Sequence, residues 1–159
     1  MNILALDLGT KTGVAWVKGG FVGSEIHDLT PGREADPLLR YDRFERMLRG
    51  MLTAEGGFDR VAYELVKGWK STYAQEVYDG FKFTLMRVCR ECETPQEGVH
   101  VGTIKKHATG MGNANKKAVV LAMRGLGWKP RDDNEADAQA ILEWACEQHG
   151  IKLPERRCA

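Results

Sequence analysis

The sequence predicts a single α/β domain that spans residues 1–159. The composition is 43% hydrophobic and 28% charged, an almost uninterrupted apolar run opens the chain, and strand-like and helix-like segments follow. No stretch reaches the ~18 to 20 apolar residues that span a bilayer, and Met1 leads straight into the first expected strand without a basic and apolar leader. We therefore expect a cytoplasmic protein that does not contact a membrane.

Three antiparallel strands are expected at the start of the chain. Residues 1–8 are nearly all apolar, which is typical of a central strand buried on both faces. Residues 9–13 contain two glycines and predict a tight turn. Residues 14–17 and 21–26 then predict a hairpin, because a loop with two glycines separates them.

Helices and strands alternate in the rest of the chain. Apolar side chains recur at helical spacing over residues 37–52, which predicts a packing helix. A last helix is expected over residues 132–149, with Asp132 and Glu135 at capping-box spacing. The other expected elements are strands over 58–66 and 99–101, a long helix over 72–92, a helical turn over 103–109 and a helix over 115–125.

Positive charge is concentrated in one part of the chain. The formal net charge is only +1, but residues 99–131 contain seven Lys or Arg and no Asp or Glu. A solvated basic face is one interpretation of such a stretch. A surface that faces phosphate groups is the other, and the absence of any carboxylate favours it.

Three carboxylates, Asp7, Glu64 and Asp137, occupy positions that a stable core alone does not explain. Asp7 and Glu64 each end an apolar strand, and Asp137 lies between two alanines in the last helix. Asp133 precedes Asp137 by one turn and is expected on the same apolar side. Charges there are costly unless they are paired or bound to a metal. Asp7 could be a turn residue and Asp133 a helix-start carboxylate, but neither explanation covers Glu64 or Asp137.

Oxygen ligands without a nearby His or Cys suit Mg²⁺ or Mn²⁺. Two such ions can clamp an in-line displacement at phosphorus. These three carboxylates, or four with Asp133, therefore predict metal-dependent cleavage or transfer at a phosphodiester.

Several short motifs carry a resemblance to a known family. They are Leu6-Asp7-Leu8-Gly9-Thr10 with Gly13-Val14-Ala15, then Tyr63-Glu64, then the Lys, Gly-x-Gly, Ala-x-Lys pattern of residues 104–116, and Asn134-Glu135-Ala136-Asp137-Ala138. In this order they resemble the RuvC-type Holliday junction resolvases of the ribonuclease H-like fold. The Asp-Asp-Asn-Glu-Ala-Asp segment at residues 132–137 resembles that of phage-encoded members of this family. The resemblance implies a mixed five-stranded sheet flanked by helices, and a Mg²⁺-dependent homodimer that introduces paired nicks across a four-way DNA junction. Mn²⁺ is expected to substitute.

The resemblance also implies roles for individual residues. Asp7, Glu64 and Asp137 are expected to be metal ligands, and Lys116 is expected to act in catalysis. The family usually has a further Asp at the position of Asn134, so we expect Asp133 to supply that carboxylate as the fourth metal ligand. The residues expected to contact nucleic acid are Lys67, Trp69, Lys70, Lys105, Lys106, Gly110, Gly112, Lys116 and Lys117.

Some of these features have a purely structural alternative. Trp69 could stack on a base or be a half-buried loop aromatic. Gly110 and Gly112 allow the backbone to approach a phosphate, or they belong to a loop that merely needs glycine. The Cys89-x-x-Cys92 and Cys146-x-x-His149 pairs have the spacing of a zinc site, but both lie within expected helices, so we interpret the cysteines as buried and expect no zinc.

Two alternative functions remain beside the junction resolvase. One is another ribonuclease H-like nuclease that acts on branched DNA or on RNA. The other is a junction-binding protein without catalytic activity, for which the Asn at position 134 is an argument.

Overall fold

The structure is a computed structural model that describes residues 1–68 and 71–154. Its strands are β1 (Ile3–Asp7), β2 (Lys11–Lys18), β3 (Phe21–Asp28), β4 (Arg60–Leu65) and β5 (Gln96–His100). They form one sheet in the order β3-β2-β1-β4-β5. β2 pairs antiparallel with β1 and with β3, whereas β4 pairs parallel with β1 and with β5. The predicted mixed five-stranded sheet is confirmed.

Five helices cover the two faces of this sheet. They are α1 (Leu39–Thr53), α2 (Thr72–Glu91), α3 (Val101–Thr109), α4 (Lys116–Gly125) and α5 (Asp133–Gln148). The side chains of β1 alternate between two cores, as the two-residue repeat of a strand requires. Leu4 and Leu6 pack with α1 and α2, and Ile3 and Ala5 pack with α3, α4 and α5. Among the described residues, no helix is long and apolar enough to cross a membrane.

Several expected boundaries were wrong, and β5, for example, begins at Gln96 and not at Val99. The turn predicted over residues 9–13 is shorter, because the Thr12 hydroxyl donates a hydrogen bond to the Gly9 carbonyl oxygen (2.7 Å) and β2 already begins at Lys11. Val101 was expected in a strand, but it is the first residue of α3. β5 stops at His100 because its pairing with β4 stops there, where His100 faces Leu65.

The start of α5 is held by its own first residues. The Asp132 side chain caps the helix by accepting a hydrogen bond from the Glu135 backbone N–H (2.9 Å), as the capping-box spacing predicts. The Glu135 carboxylate does not accept a hydrogen bond from the Asp132 backbone N–H, as it would in a complete capping box. It accepts a hydrogen bond from the Arg131 backbone N–H instead (2.8 Å).

α5 lies against the sheet with almost no gap at Gly13. A Cβ atom at Gly13 would lie 2.0 Å from the Asn134 carbonyl oxygen and 3.2 Å from the Ala138 Cβ. Gly13 is paired with Asp7 in the β1–β2 ladder. The missing side chain therefore lets the first turn of α5 settle directly beside the end of β1.

Gly13→Ala should destabilise the protein by about 1 to 3 kcal/mol or more, because backbone atoms of α5 would have to move away from β2. The free energy of unfolding in urea measures this. Gly50→Ala is the control, since a Cβ there meets no atom within 4 Å and Gly50 lies inside α1. That variant should gain up to about 1 kcal/mol, and an equal effect at both positions would contradict the close contact.

Candidate active site

A cleft of about 380 Å³ opens where β1 and β4 end. The two strands are parallel neighbours, so their carboxyl ends lie at the same edge of the sheet. Asp7 is the last residue of β1 and Glu64 lies near the end of β4, and both line the cleft. Asp137 lines it from α5. The fold thus brings together three of the four predicted carboxylates from distant parts of the chain.

The end of β4 is fixed by a tyrosine from α2. The Tyr78 hydroxyl donates a hydrogen bond to the Glu64 carbonyl oxygen (2.7 Å) and accepts one from the Val66 backbone N–H (3.3 Å). Burial raises the pKa of Tyr78 to about 12, so the phenol stays protonated as a donor at neutral pH. These bonds anchor the backbone from which Glu64 projects.

Burial raises the pKa values of all three carboxyls, and repulsion between them adds to this for Asp7 and Glu64. Burial, followed by repulsion from Asp137 and Glu64, raises the pKa of Asp7 well above its usual range. Burial, followed by repulsion from Asp137, raises the pKa of Glu64 to about 7. Burial also raises the pKa of Asp137 to about 6, against the opposing effect of Lys116. The cleft therefore concentrates negative charge that the protein itself only partly neutralises.

The carboxylates fit a divalent cation by their chemistry. They supply hard oxygen donors, and the charge of a bound cation would oppose the burial and repulsion that raise their pKa values. Among the described residues, however, no three His, Cys, Asp or Glu side chains converge closely enough to enclose one ion. The arrangement is therefore an acidic cleft with its carboxylates on separate walls.

Asp133 and Asn134 have different surroundings at the start of α5. Asn134 lines the cleft beside Asp137. Asp133 is 37% exposed and forms an ion pair with Lys116 outside that lining, so it does not share the buried environment expected for it. The hydrogen bond from Lys116 lowers the pKa of Asp133. A role for Asp133 as the fourth metal ligand remains a prediction.

The predicted basic residues separate into several groups. Lys105 and Lys116 line the cleft. Lys117 lies on the outer face of α4, and Lys106 faces a different hollow between α3 and α5. Lys67 is exposed just after β4. Trp69 and Lys70 lie outside the residues that the structure describes.

The structure explains why both positions of the loop after α3 are occupied by glycine. Gly110 caps α3 with a left-handed backbone (φ 81°), which glycine adopts without strain. A Cβ at Gly112 would lie 3.1 Å from the Gly102 carbonyl oxygen. Contact of either residue with phosphate remains a prediction.

The two pairs considered as a zinc site do not meet. Cys89 is buried among α1, α2 and one face of the sheet, whereas Cys146 is buried on the opposite face. The His149 side chain contacts Glu97 (2.7 Å). The sheet therefore separates the two halves of the pattern.

Sequence reasoning missed two polar residues of the cleft. Thr10 and Lys11 line it beside Asp7. Their signal was the stretch directly after Asp7, which we interpreted only as a turn. Lys11 adds a third lysine to the cleft.

The fold is similar to that of known junction resolvases, although the sequence matches no protein-family model and no curated protein. RuvC from Thermus thermophilus in complex with a Holliday junction substrate is 24% identical, with a TM-score of 0.74 over 89% of this chain and 90% of that one. A second Thermus thermophilus RuvC structure is 20% identical, with a TM-score of 0.75 over 97% and 99%.

The yeast mitochondrial Holliday junction resolvase is a more distant match. It is 12% identical, with a TM-score of 0.60 over 87% of this chain and 75% of that one. The chain thus has the ribonuclease H-like fold of the RuvC Holliday junction resolvases along nearly its whole length.

Proposed function

We propose that this protein is a metal-dependent, structure-selective endonuclease that resolves four-way DNA junctions by paired nicks. The observation that carries the proposal is the meeting of Asp7, Glu64 and Asp137 in one cleft. The fold supports it, because a solved structure with the same fold is a RuvC protein in complex with a Holliday junction substrate. Mg²⁺ is the proposed ion, and Mn²⁺ is expected to substitute.

The residues of the cleft have separate tasks in this proposal. Asp7, Glu64 and Asp137 would hold the cations. When bound, two divalent ions supply the positive charge that activates a water molecule and stabilises the leaving oxygen of an in-line displacement. Lys105 and Lys116 line the same cleft and would orient the phosphate that is cut.

Asp133 could turn toward the cleft if Lys116 exchanged its ion pair with Asp133 for one with a DNA phosphate. Its ion pair with Lys116 is largely exposed, and such pairs contribute only about 0 to 1 kcal/mol. A DNA phosphate would compete with Asp133 for the Lys116 ammonium. We propose that arrival of the substrate frees Asp133 to serve as the fourth carboxylate.

The paired nicks require two copies of the chain. Resolution of a four-way junction cuts two strands, and the three carboxylates form one cleft in each chain. We therefore propose a homodimer that binds one branched DNA and presents one cleft to each strand. Lys67, Lys70, Lys106 and Lys117 are the proposed backbone contacts beyond the cleft, and Trp69 is proposed to stack on a base.

Purified protein with Mg²⁺ or Mn²⁺ should nick a labelled synthetic four-way junction symmetrically and leave a matched linear duplex intact. Asp7→Asn, Glu64→Gln and Asp137→Asn should each lower the nicking rate by roughly 100-fold or more, because each removes part of an interaction worth several kcal/mol in the transition state. Denaturing gels of the end-labelled strands measure the rate.

Asp42→Asn is the matched control for these variants, because Asp42 is exposed on α1. Nicking of RNA or of linear strands by the wild type would contradict the four-way junction as the substrate and favour another class of nuclease. Tight binding of the junction without any cut, at all Mg²⁺ and Mn²⁺ concentrations, would contradict an endonuclease and favour a junction-binding protein without catalytic activity.

A divalent cation should raise the unfolding temperature of the wild type. The carboxyls of Asp7, Glu64 and Asp137 have raised pKa values in the folded chain, so the native state without metal binds more protons than the unfolded chain does. Its stability should therefore fall as the pH rises from about 4 to about 7. Thermal unfolding in EDTA and in Mn²⁺ measures both effects.

The Asp7→Asn variant separates charge repulsion from other causes. In EDTA at pH 8 it should be more stable than the wild type, because it removes one of three like charges, and it should gain less from Mn²⁺. Equal responses of the two proteins to Mn²⁺ would show that the cation binds elsewhere.

Asp133 and Asn134 can be distinguished by substitution. If Asp133 completes the metal site, Asp133→Asn should lower nicking about as much as Asp137→Asn, whereas Asn134→Ala should cost much less. Nicking rates across a Mg²⁺ titration provide the comparison. The reverse order would assign the position to Asn134 and leave Asp133 as a partner of Lys116.

A further inference from the structure

A polar cluster joins α5 to β3 on the side of α5 away from the cleft. The Ser24 hydroxyl donates a hydrogen bond to Glu135 Oε1 (2.7 Å) and accepts one from Gln139 Nε2 (2.9 Å). The backbone N–H of Arg131 (2.8 Å) and its Nε (3.1 Å) donate to Glu135 Oε2. Glu135 is 3% exposed and Gln139 is fully buried. We call Ser24, Arg131, Glu135 and Gln139 the β3–α5 clamp.

Stability alone does not explain the clamp. A carboxylate and an amide are costly to bury, and Gln139 Oε1 has no hydrogen-bond partner within the described chain. Apolar side chains of similar volume often replace buried polar pairs without loss of stability. The best-attested role of buried polar groups is to select one register between packed elements.

The first turns of α5 need such a device because alanines make up much of their packing surface, whereas the large buried side chains of the helix, Ile141 and Leu142, lie further along it. Ala136, Ala138 and Ala140 are fully buried, and methyl groups give little resistance to rotation or sliding. Side chains lie about 5 to 6 Å from a helix axis, so a rotation of about 10° would displace the Asp137 carboxylate by roughly 1 Å. Misplacement of that size can cost about 100-fold in rate.

The clamp and the cleft lie on different sides of the same helix turns. Asn134 and Asp137 line the cleft, whereas Glu135 and Gln139 are centred about 150° further round the helix, at 3.6 residues per turn. Between the two sides, Ala138 rests against Gly13. Fixing the clamp therefore fixes the rotation of α5 about its contact with β2.

We propose that Ser24, Glu135 and Gln139 are positioning residues that set the rotation of α5 and so hold Asp137 in the cleft opposite Asp7 and Glu64. This inference rests on the proposed function of the cleft as a metal site. It assigns these three residues no contact with metal or DNA, so their effect passes entirely through Asp137 and Asn134.

The test measures Mn²⁺ affinity and nicking separately. Ser24→Ala removes the central hydroxyl, and Gln139→Leu removes the amide with little change in volume. Each should weaken Mn²⁺ binding by about tenfold. Electron paramagnetic resonance, recorded well below the unfolding temperature, measures this affinity. Nicking at saturating Mn²⁺ should fall by a similar factor, while junction affinity in Ca²⁺ should stay within twofold. Ser24→Thr keeps the hydroxyl and should restore both values.

Thr53→Ala is the matched control, because it also removes one hydroxyl hydrogen bond, to Arg49 in α1 (2.8 Å). Wild-type Mn²⁺ affinity in Ser24→Ala and Gln139→Leu, with only a lower unfolding temperature, would overturn the inference. If the clamp variants weaken Mn²⁺ binding but the wild type cuts no junction, the result would support the positioning role of the clamp and contradict the proposed junction cleavage.

Discussion

The contact between Gly13 and the first turn of α5 is the constraint on which the rest of the site depends. β1 and β4 bring Asp7 and Glu64 to one edge of the sheet by their parallel pairing alone. The third carboxylate comes from a helix nearly at the other end of the chain. Only a residue without a side chain lets that helix approach the sheet closely enough beside Asp7.

This close approach creates an electrostatic cost that the apolar frame increases. Three carboxyls share a cleft whose walls also include Leu8, Val101, Ile104 and Ile141, and their pKa values rise as a result. A protein selected only for stability would place lysines directly on them. Lys116 lowers the pKa values of the three carboxyls, but its ion pair is with Asp133, and none of the three has an ion pair of its own among the described residues. This uncompensated negative charge is the physical basis of the proposed cation site.

Much of the fold and part of the site could be predicted from the sequence because their signals are local. The apolar run that ends at Asp7, the helical spacing of α1 and the cap at Asp132 are each read within a few residues. The boundary at Val101 was wrong because the end of β5 is set by its pairing with β4. The ion pair of Asp133 with Lys116 could not be predicted, since the packing of α4 against α5 brings these residues together across 17 positions.

The β3–α5 clamp shows why helical spacing misses positioning residues. Periodicity places Glu135 and Gln139 on the same helix as Asp137, but it does not show that β3 presents a hydroxyl to them. A buried Glu in an alanine-rich helix looks like a defect until its partners are known. Once Ser24 and Arg131 are seen to satisfy its two oxygens, the same residue becomes the feature that distinguishes one rotation of α5 from its neighbours. In the proposed function the carboxylates of the cleft supply the chemistry, and the clamp residues across the helix determine where one of them lies.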